Sequence, residues 1–78
     1  MINKKKIKQN RQRRLADSLR VARKKANLKQ DEASLALGLS ETTINKIENC
    51  QRGVEVVEFI EICELYKVSP KKLLESIA

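Results

Sequence analysis

The stretch QDEASLALGLSETTINKIEN, Gln30 to Asn49, decides the fold. Gln30 to Leu37 reads as a short helix with Asp31 and Glu32 in its first turn, where acids complement the positive end of the helix dipole. Gly38 stops it, because glycine alone enters the left-handed region without a Cβ penalty. Ser40 is then expected to cap a second helix, Glu41 to Asn49, on which Ile44 and Ile47 share a face. The turn between the two helices is three residues long.

Two short helices joined by a Gly-containing turn are the arrangement that lays a recognition helix in the major groove of DNA, a channel about 12 Å wide that admits one helix. If Ile44 and Ile47 face a core, then Glu41, Thr42, Asn45 and Lys46 face away from it. Their chemistry matches base edges: a carboxylate that accepts from cytosine, a Thr methyl and hydroxyl, an amide for adenine and an ammonium for guanine.

Working outward toward the N-terminus, Leu15, Leu19, Ala22 and Ala26 recur at helical spacing and predict helix one, from about Arg11 to near Asn27. Residues 1–14 carry Lys4, Lys5, Lys6, Lys8, Arg11, Arg13 and Arg14 with few apolar anchors, so burial does not offset their ordering entropy and they read as a basic arm. Three conformations stay open for that arm: a disordered tail, an extension of helix one, or a strand of chain along DNA. Residues 15–78 form the domain proper. Toward the C-terminus, Val56, Phe59, Ile60, Ile62, Cys63 and Tyr66 alternate with Glu55, Glu58, Glu61 and Glu64 as a fourth helix from Val56 to Tyr66. Ser69-Pro70 is a strong start signal for a fifth, with Leu73, Leu74 and Ile77 expected inward.

A chain of 78 residues has room for a single modest core, and with one Phe, one Tyr and no Trp that core must be aliphatic, which suits packed helices. The formal charge of +7 conceals a segregation. Twelve of the 17 Lys and Arg lie in residues 1–29 beside a single acid, Asp17, whereas nine of the ten acids lie in residues 30–78. Such a field draws a polyanion to one end, and nucleic acid is the leading partner. Cys50 and Cys63 are too few to staple a secreted domain, and without histidine they complete no zinc site, so no metal or other cofactor is expected. A reducing cytoplasm is the expected compartment, since no signal-peptide core or membrane-spanning run is present. No small-molecule ligand is evident. The absence of histidine, of a nucleophile beside a base and of a glycine-rich phosphate loop argues against an enzyme.

Leu19-Arg20, Arg23, Leu28, Gln30, Gly38-Leu39-Ser40, Ile44, Ile47-Glu48-Asn49 and Val68-Ser69 resemble, in consistent spacing over residues 15–77, the Cro/cI-like family of helix-turn-helix regulators. The resemblance implies an all-α, five-helix Cro/cI-like repressor domain that regulates transcription. It implies base reading by Glu41, Thr42 and Lys46, and a phosphate contact from Gln30, where the N–H groups of a helix start suit an anion. Ser40, Thr43, Asn49 and Arg52 are the expected backbone contacts around the reading surface. By the same resemblance Arg23 and Glu48 form an ion pair that ties helix one to the end of helix three, which removes Glu48 from the surface facing phosphate.

Two positions depart from the family pattern. Ala33-Ser34 stands where Leu-Ala is usual, leaving Leu35 without a place, and Cys50 stands where Gly often follows helix three, with Gly53 three residues later.

The reading is therefore a DNA-binding regulator that engages a (pseudo)palindromic operator as a homodimer, because one short helix reads too few bases for useful specificity. Helix five and the region joining it to helix four, around Leu73, Leu74 and Ile77, are the expected dimer surface. An antitoxin or adaptor-type protein-interaction module is the alternative, and non-specific nucleic-acid binding through the arm is a second.

Overall fold

The structure, a computed structural model, describes residues 3–78. Met1 and Ile2, the first two residues of the expected arm, lie outside it. Helix α1 opens at Asn3, whose Oδ1 accepts a hydrogen bond from the backbone N–H of Lys6 at 3.1 Å, and runs from Lys4 to Lys25. It thus begins a full two turns before the expected Arg11. Of the three conformations open for the basic segment, the extension of helix one is the one observed: Lys, Arg and Gln are good helix formers, and once residues 15–25 are helical, each added residue needs only propagation and no new nucleus. The basic segment is accordingly the N-terminal extension of α1, and it gives the molecule its 43 Å long axis against 23 and 20 Å across.

After α1 come α2 (Gln30–Ala36), α3 (Thr43–Glu48), α4 (Val56–Tyr66) and α5 (Pro70–Glu75), with no strand among the described residues. Four of the five helices end in the same way. At Asn27, Gly38, Cys50 and Lys67 the chain turns left-handed, with φ of 61, 71, 58 and 57°. The amide of that residue and the amide after it fold back, as in Gly38 N–H to Leu35 O at 3.0 Å and Leu39 N–H to Ser34 O at 2.9 Å, which satisfies carbonyls the helix leaves free. Only one of these four positions is a glycine.

The core is aliphatic apart from Phe59 and Tyr66, and gathers Leu19 and Ala22 of α1, Ala33 of α2, Ile44 and Ile47 of α3, Phe59, Ile62, Cys63 and Tyr66 of α4, and Leu73 of α5. Leu15, Ala26 and Val68 pack around it half-buried. Several residues expected inward are not. Val56 and Ile60 are exposed, because the i, i+3, i+4, i+7 stripe Phe59–Ile62–Cys63–Tyr66 already fills the buried face of α4. Leu74 is exposed as well, being the neighbour of buried Leu73, and Ile77 lies half-buried in the turn beyond α5. Ser69 does cap α5, its Oγ accepting from Lys72 N–H at 3.3 Å.

Candidate nucleic-acid interface

The α2–turn–α3 unit owes its geometry to a serine that local pattern does not single out. Ala33 and Ser34 are both fully buried where α2 meets α3, and Leu35 is consequently turned to solvent with 63 % of its surface exposed. Ser34 Oγ accepts a hydrogen bond from the backbone N–H of Ile44 at 3.0 Å. The first N–H groups of a helix have no partner within it, so a side chain from α2 caps α3 across the turn.

This capping corrects the expected role of Ser40. Helix α3 starts at Thr43, with Thr42 at the cap position making no side-chain cap bond. Ser40 instead closes a turn: its carbonyl accepts from Thr43 N–H at 3.0 Å, and its hydroxyl lies 3.0 Å from Thr43 Oγ1. Glu41 and Thr42 are therefore turn residues in front of α3, both exposed, and Thr43 is buried beneath them. Asn45, Lys46 and Asn49 are exposed along α3 itself, opposite Ile44 and Ile47.

Glu48 is turned inward. Its carboxylate accepts from Arg23 Nε at 2.7 Å and Arg23 Nη2 at 3.1 Å, and from Gln30 Nε2 at 3.0 Å, while Arg20 Nε lies 3.6 Å away. Arg23 also donates through Nη1 to Leu28 O at 2.8 Å, fastening the end of α1. Its hydrogen bond to Glu48 holds the guanidinium pKa above its ordinary value against the opposing effect of burial. Such a bidentate, charge-assisted pair is the geometry in which arginine binds carboxylate best.

From Glu48 the hydrogen bonds continue to the surface. Asn45 Nδ2 donates to Gln30 Oε1 at 3.0 Å, and Asn49 Nδ2 donates to Asn45 Oδ1 at 3.2 Å. A primary amide carries two donor hydrogens. Gln30, Asn45 and Asn49 each use one in this relay and keep the other.

Arg52 stands apart from this relay. Its guanidinium grips Glu58 through two bonds of 2.7 and 3.0 Å and donates to Gly53 O at 3.2 Å. That grip, chiefly through the hydrogen bonds, holds the Glu58 carboxyl below the usual carboxylate range. The charge of Arg52 is thus largely matched by a carboxylate within its own loop and helix.

Three features escaped the sequence reading. The inter-helix cap from Ser34 has no local signature, the approach of Arg20 to Glu48 follows only once α1 and α3 are packed, and Tyr66 lies buried close enough for the charges of Arg23 and Glu48 to act on its phenol. Among the described residues no group of His, Cys, Asp or Glu is arranged to hold a metal ion, and no helix is long and apolar enough to cross a membrane. The chain has no match among the curated proteins. A protein-family model described as Helix-turn-helix matches residues 19–73, from the second half of α1 to α5. On that match and this five-helix geometry, the chain belongs to the Cro/cI-like helix-turn-helix family of DNA-binding transcription regulators.

Proposed function

We propose that the chain binds a (pseudo)palindromic operator as a homodimer, each subunit placing α3 in a major groove. The observation that carries this reading is the division of α3 into two faces. Ile44, Ile47 and Glu48 are buried, the last paired with Arg23, while Asn45, Lys46 and Asn49, with Glu41 and Thr42 at the front, remain exposed and mostly uncommitted. Glu41, Thr42, Asn45 and Lys46 read base edges. Gln30, Ser40 and Asn49 contact the sugar-phosphate backbone, the two amides through their remaining donors. Thr43 and Arg52 act at one remove, Thr43 by shaping the turn and Arg52 by fixing the loop after α3. Phosphate contacts position the protein, and base contacts specify the sequence.

The homodimer is supported by apolar surface away from α3. Leu74 is exposed beside half-buried Ile77, and Val56 and Ile60 are exposed on α4. Leu73 belongs to the core and not to an interface. Selection from random duplexes tests the proposal. An enriched inverted repeat is the expected result, and a pool without enrichment would overturn it. Lys46→Ala should change which sequences are selected, whereas Gln30→Ala should weaken all of them alike.

A further inference from the structure

The α1 extension lies before the family-matched region, yet its cations are not spread evenly. Arg20 touches Glu48 of α3. Arg13 precedes it by seven residues and Lys6 by fourteen, and seven residues are nearly two full turns, so the three side chains leave α1 within roughly 20° per step of one another. Gln9 falls on the same side. The packing agrees with this projection: Gln9, Asn10, Gln12 and Arg13 line a cleft with Cys50 at the end of α3, and the Cys50 Sγ–Gln12 O distance is 4.0 Å. Lys4, Lys8 and Arg11 point elsewhere, into an apolar groove with Ile7, Leu15, Val54 and Ile77.

We propose that the stripe Lys6–Gln9–Arg13–Arg20 is a second DNA-binding surface that grips the phosphates flanking the bases under α3. The inference rests on the helix-turn-helix reading above and adds to it a longer footprint. Continuity with the reading face is given by the Arg20–Glu48 ion pair at 3.6 Å and, from Glu48 onward, by the hydrogen bonds through Gln30 and Asn45 to Asn49 on the exposed side of α3. From Lys6 to Arg20 the helix rises about 21 Å, the rise of about six base pairs. Lys6 and Arg13 are exposed, and among the described residues no acid pairs with either. Lys4, Lys5 and Lys6 also occupy the first turn of α1, where cations oppose the helix dipole. A polyanion alongside relieves that repulsion.

The test compares two double variants that each remove two positive charges. Lys6→Gln with Arg13→Gln alters the stripe, and Lys4→Gln with Lys8→Gln alters the groove side of the same helix. The probe is a duplex from the selected pool with flanks of about six base pairs beyond the bases read, and the same duplex without flanks. The stripe variant should lose affinity on the long duplex, with the slope of log affinity against log salt falling by about 1.8 for each bound subunit, or about 3.6 for the dimer. It should keep its sequence preference and approach the parent on the trimmed duplex, while the groove-side variant changes far less. Equal losses in both variants, or a stripe loss undiminished on the trimmed duplex, would overturn the proposal. Failure of the helix-turn-helix reading looks different, since the parent protein and Lys46→Ala would then show the same absence of preference.

Discussion

The hydroxyl of Ser34, in the middle of α2, caps α3 by accepting from the backbone N–H of Ile44 at 3.0 Å in a fully buried setting. A buried N–H stripped of its partner carries its desolvation penalty without compensation. Ser34→Ala should therefore destabilise the domain by about 1–3 kcal/mol, although alanine fits the space. The denaturant midpoint measures this. Because the cap holds α3 against α2, operator affinity should fall with it, while sequence preference stays the same. An unchanged midpoint would mean that water or a shifted backbone replaces the hydroxyl.

The Arg23–Glu48 pair is nearly dry, with 9 % and 1 % of the two side chains exposed. Removing one partner of such a pair leaves an uncompensated buried charge, at a cost of about 3–5 kcal/mol. Glu48→Gln should thus bring this small domain close to unfolding at ambient temperature. Arg23→Met combined with Glu48→Leu should recover much of the loss, since apolar replacement of both partners is often neutral. Urea unfolding of Glu48→Gln and of the double variant decides it, and a double variant as unstable as Glu48→Gln alone would show that the hydrogen bonds to Leu28 and Gln30 matter more than the charges.

How far the sequence reveals this architecture depends on the range of the interaction. The stripe Phe59–Ile62–Cys63–Tyr66 and the Ser69-Pro70 start are local periodicities, and α4 and α5 begin where these place them. The start of α3 is not local. It is fixed by a hydroxyl ten residues before Ile44, so Ser40, with the right chemistry immediately before Glu41, looks like the cap and instead closes the turn. Leu35 has no place in a pattern that expects Leu-Ala before it, and becomes an ordinary exposed residue once Ala33 and Ser34 are seen to fill the contact with α3. At the candidate interface, residue chemistry is legible but commitment is not: nothing in the order of residues shows that Arg52 is held by Glu58.

Cys50 sits with φ of 58° at the left-handed position that ends α3, where Cys50 N–H bonds Ile47 O at 3.1 Å and Gln51 N–H bonds Lys46 O at 2.9 Å. An L-residue there is strained by about 1–2 kcal/mol, partly offset by the greater chain entropy that glycine has when unfolded. Cys50→Gly should therefore raise stability by roughly 0.5–1 kcal/mol. Gly38 is the converse. Its φ is 71° and nothing lies within 4 Å of an added Cβ, so Gly38→Ala should cost about 1 kcal/mol through the backbone alone. Shifts of opposite sign in the thermal midpoints of the two variants are the expected outcome, and a destabilised Cys50→Gly would show that the thiol beside Gln12 contributes packing.

Tyr66 is the one tyrosine of the chain, and its hydroxyl is buried with no hydrogen-bond partner among the described residues. Burial, reinforced by the negative charge of Glu48 and opposed by Arg23, pushes its phenol up to about 12. The neutral form is favoured in the fold, so this stabilisation is complete below the ordinary value near 10. It is lost as pH rises from there toward about 12. Two consequences can be read separately. The phenolate absorbance of the single tyrosine should appear late, and together with unfolding, in an alkaline titration. Tyr66→Phe should abolish that part of the alkaline limb and, by removing an unpartnered buried polar atom, raise stability at neutral pH by about 1 kcal/mol. A destabilised phenylalanine variant would mean that the hydroxyl has a partner, and the nearest charged groups, Arg23 and Glu48, would then be coupled to the core through it.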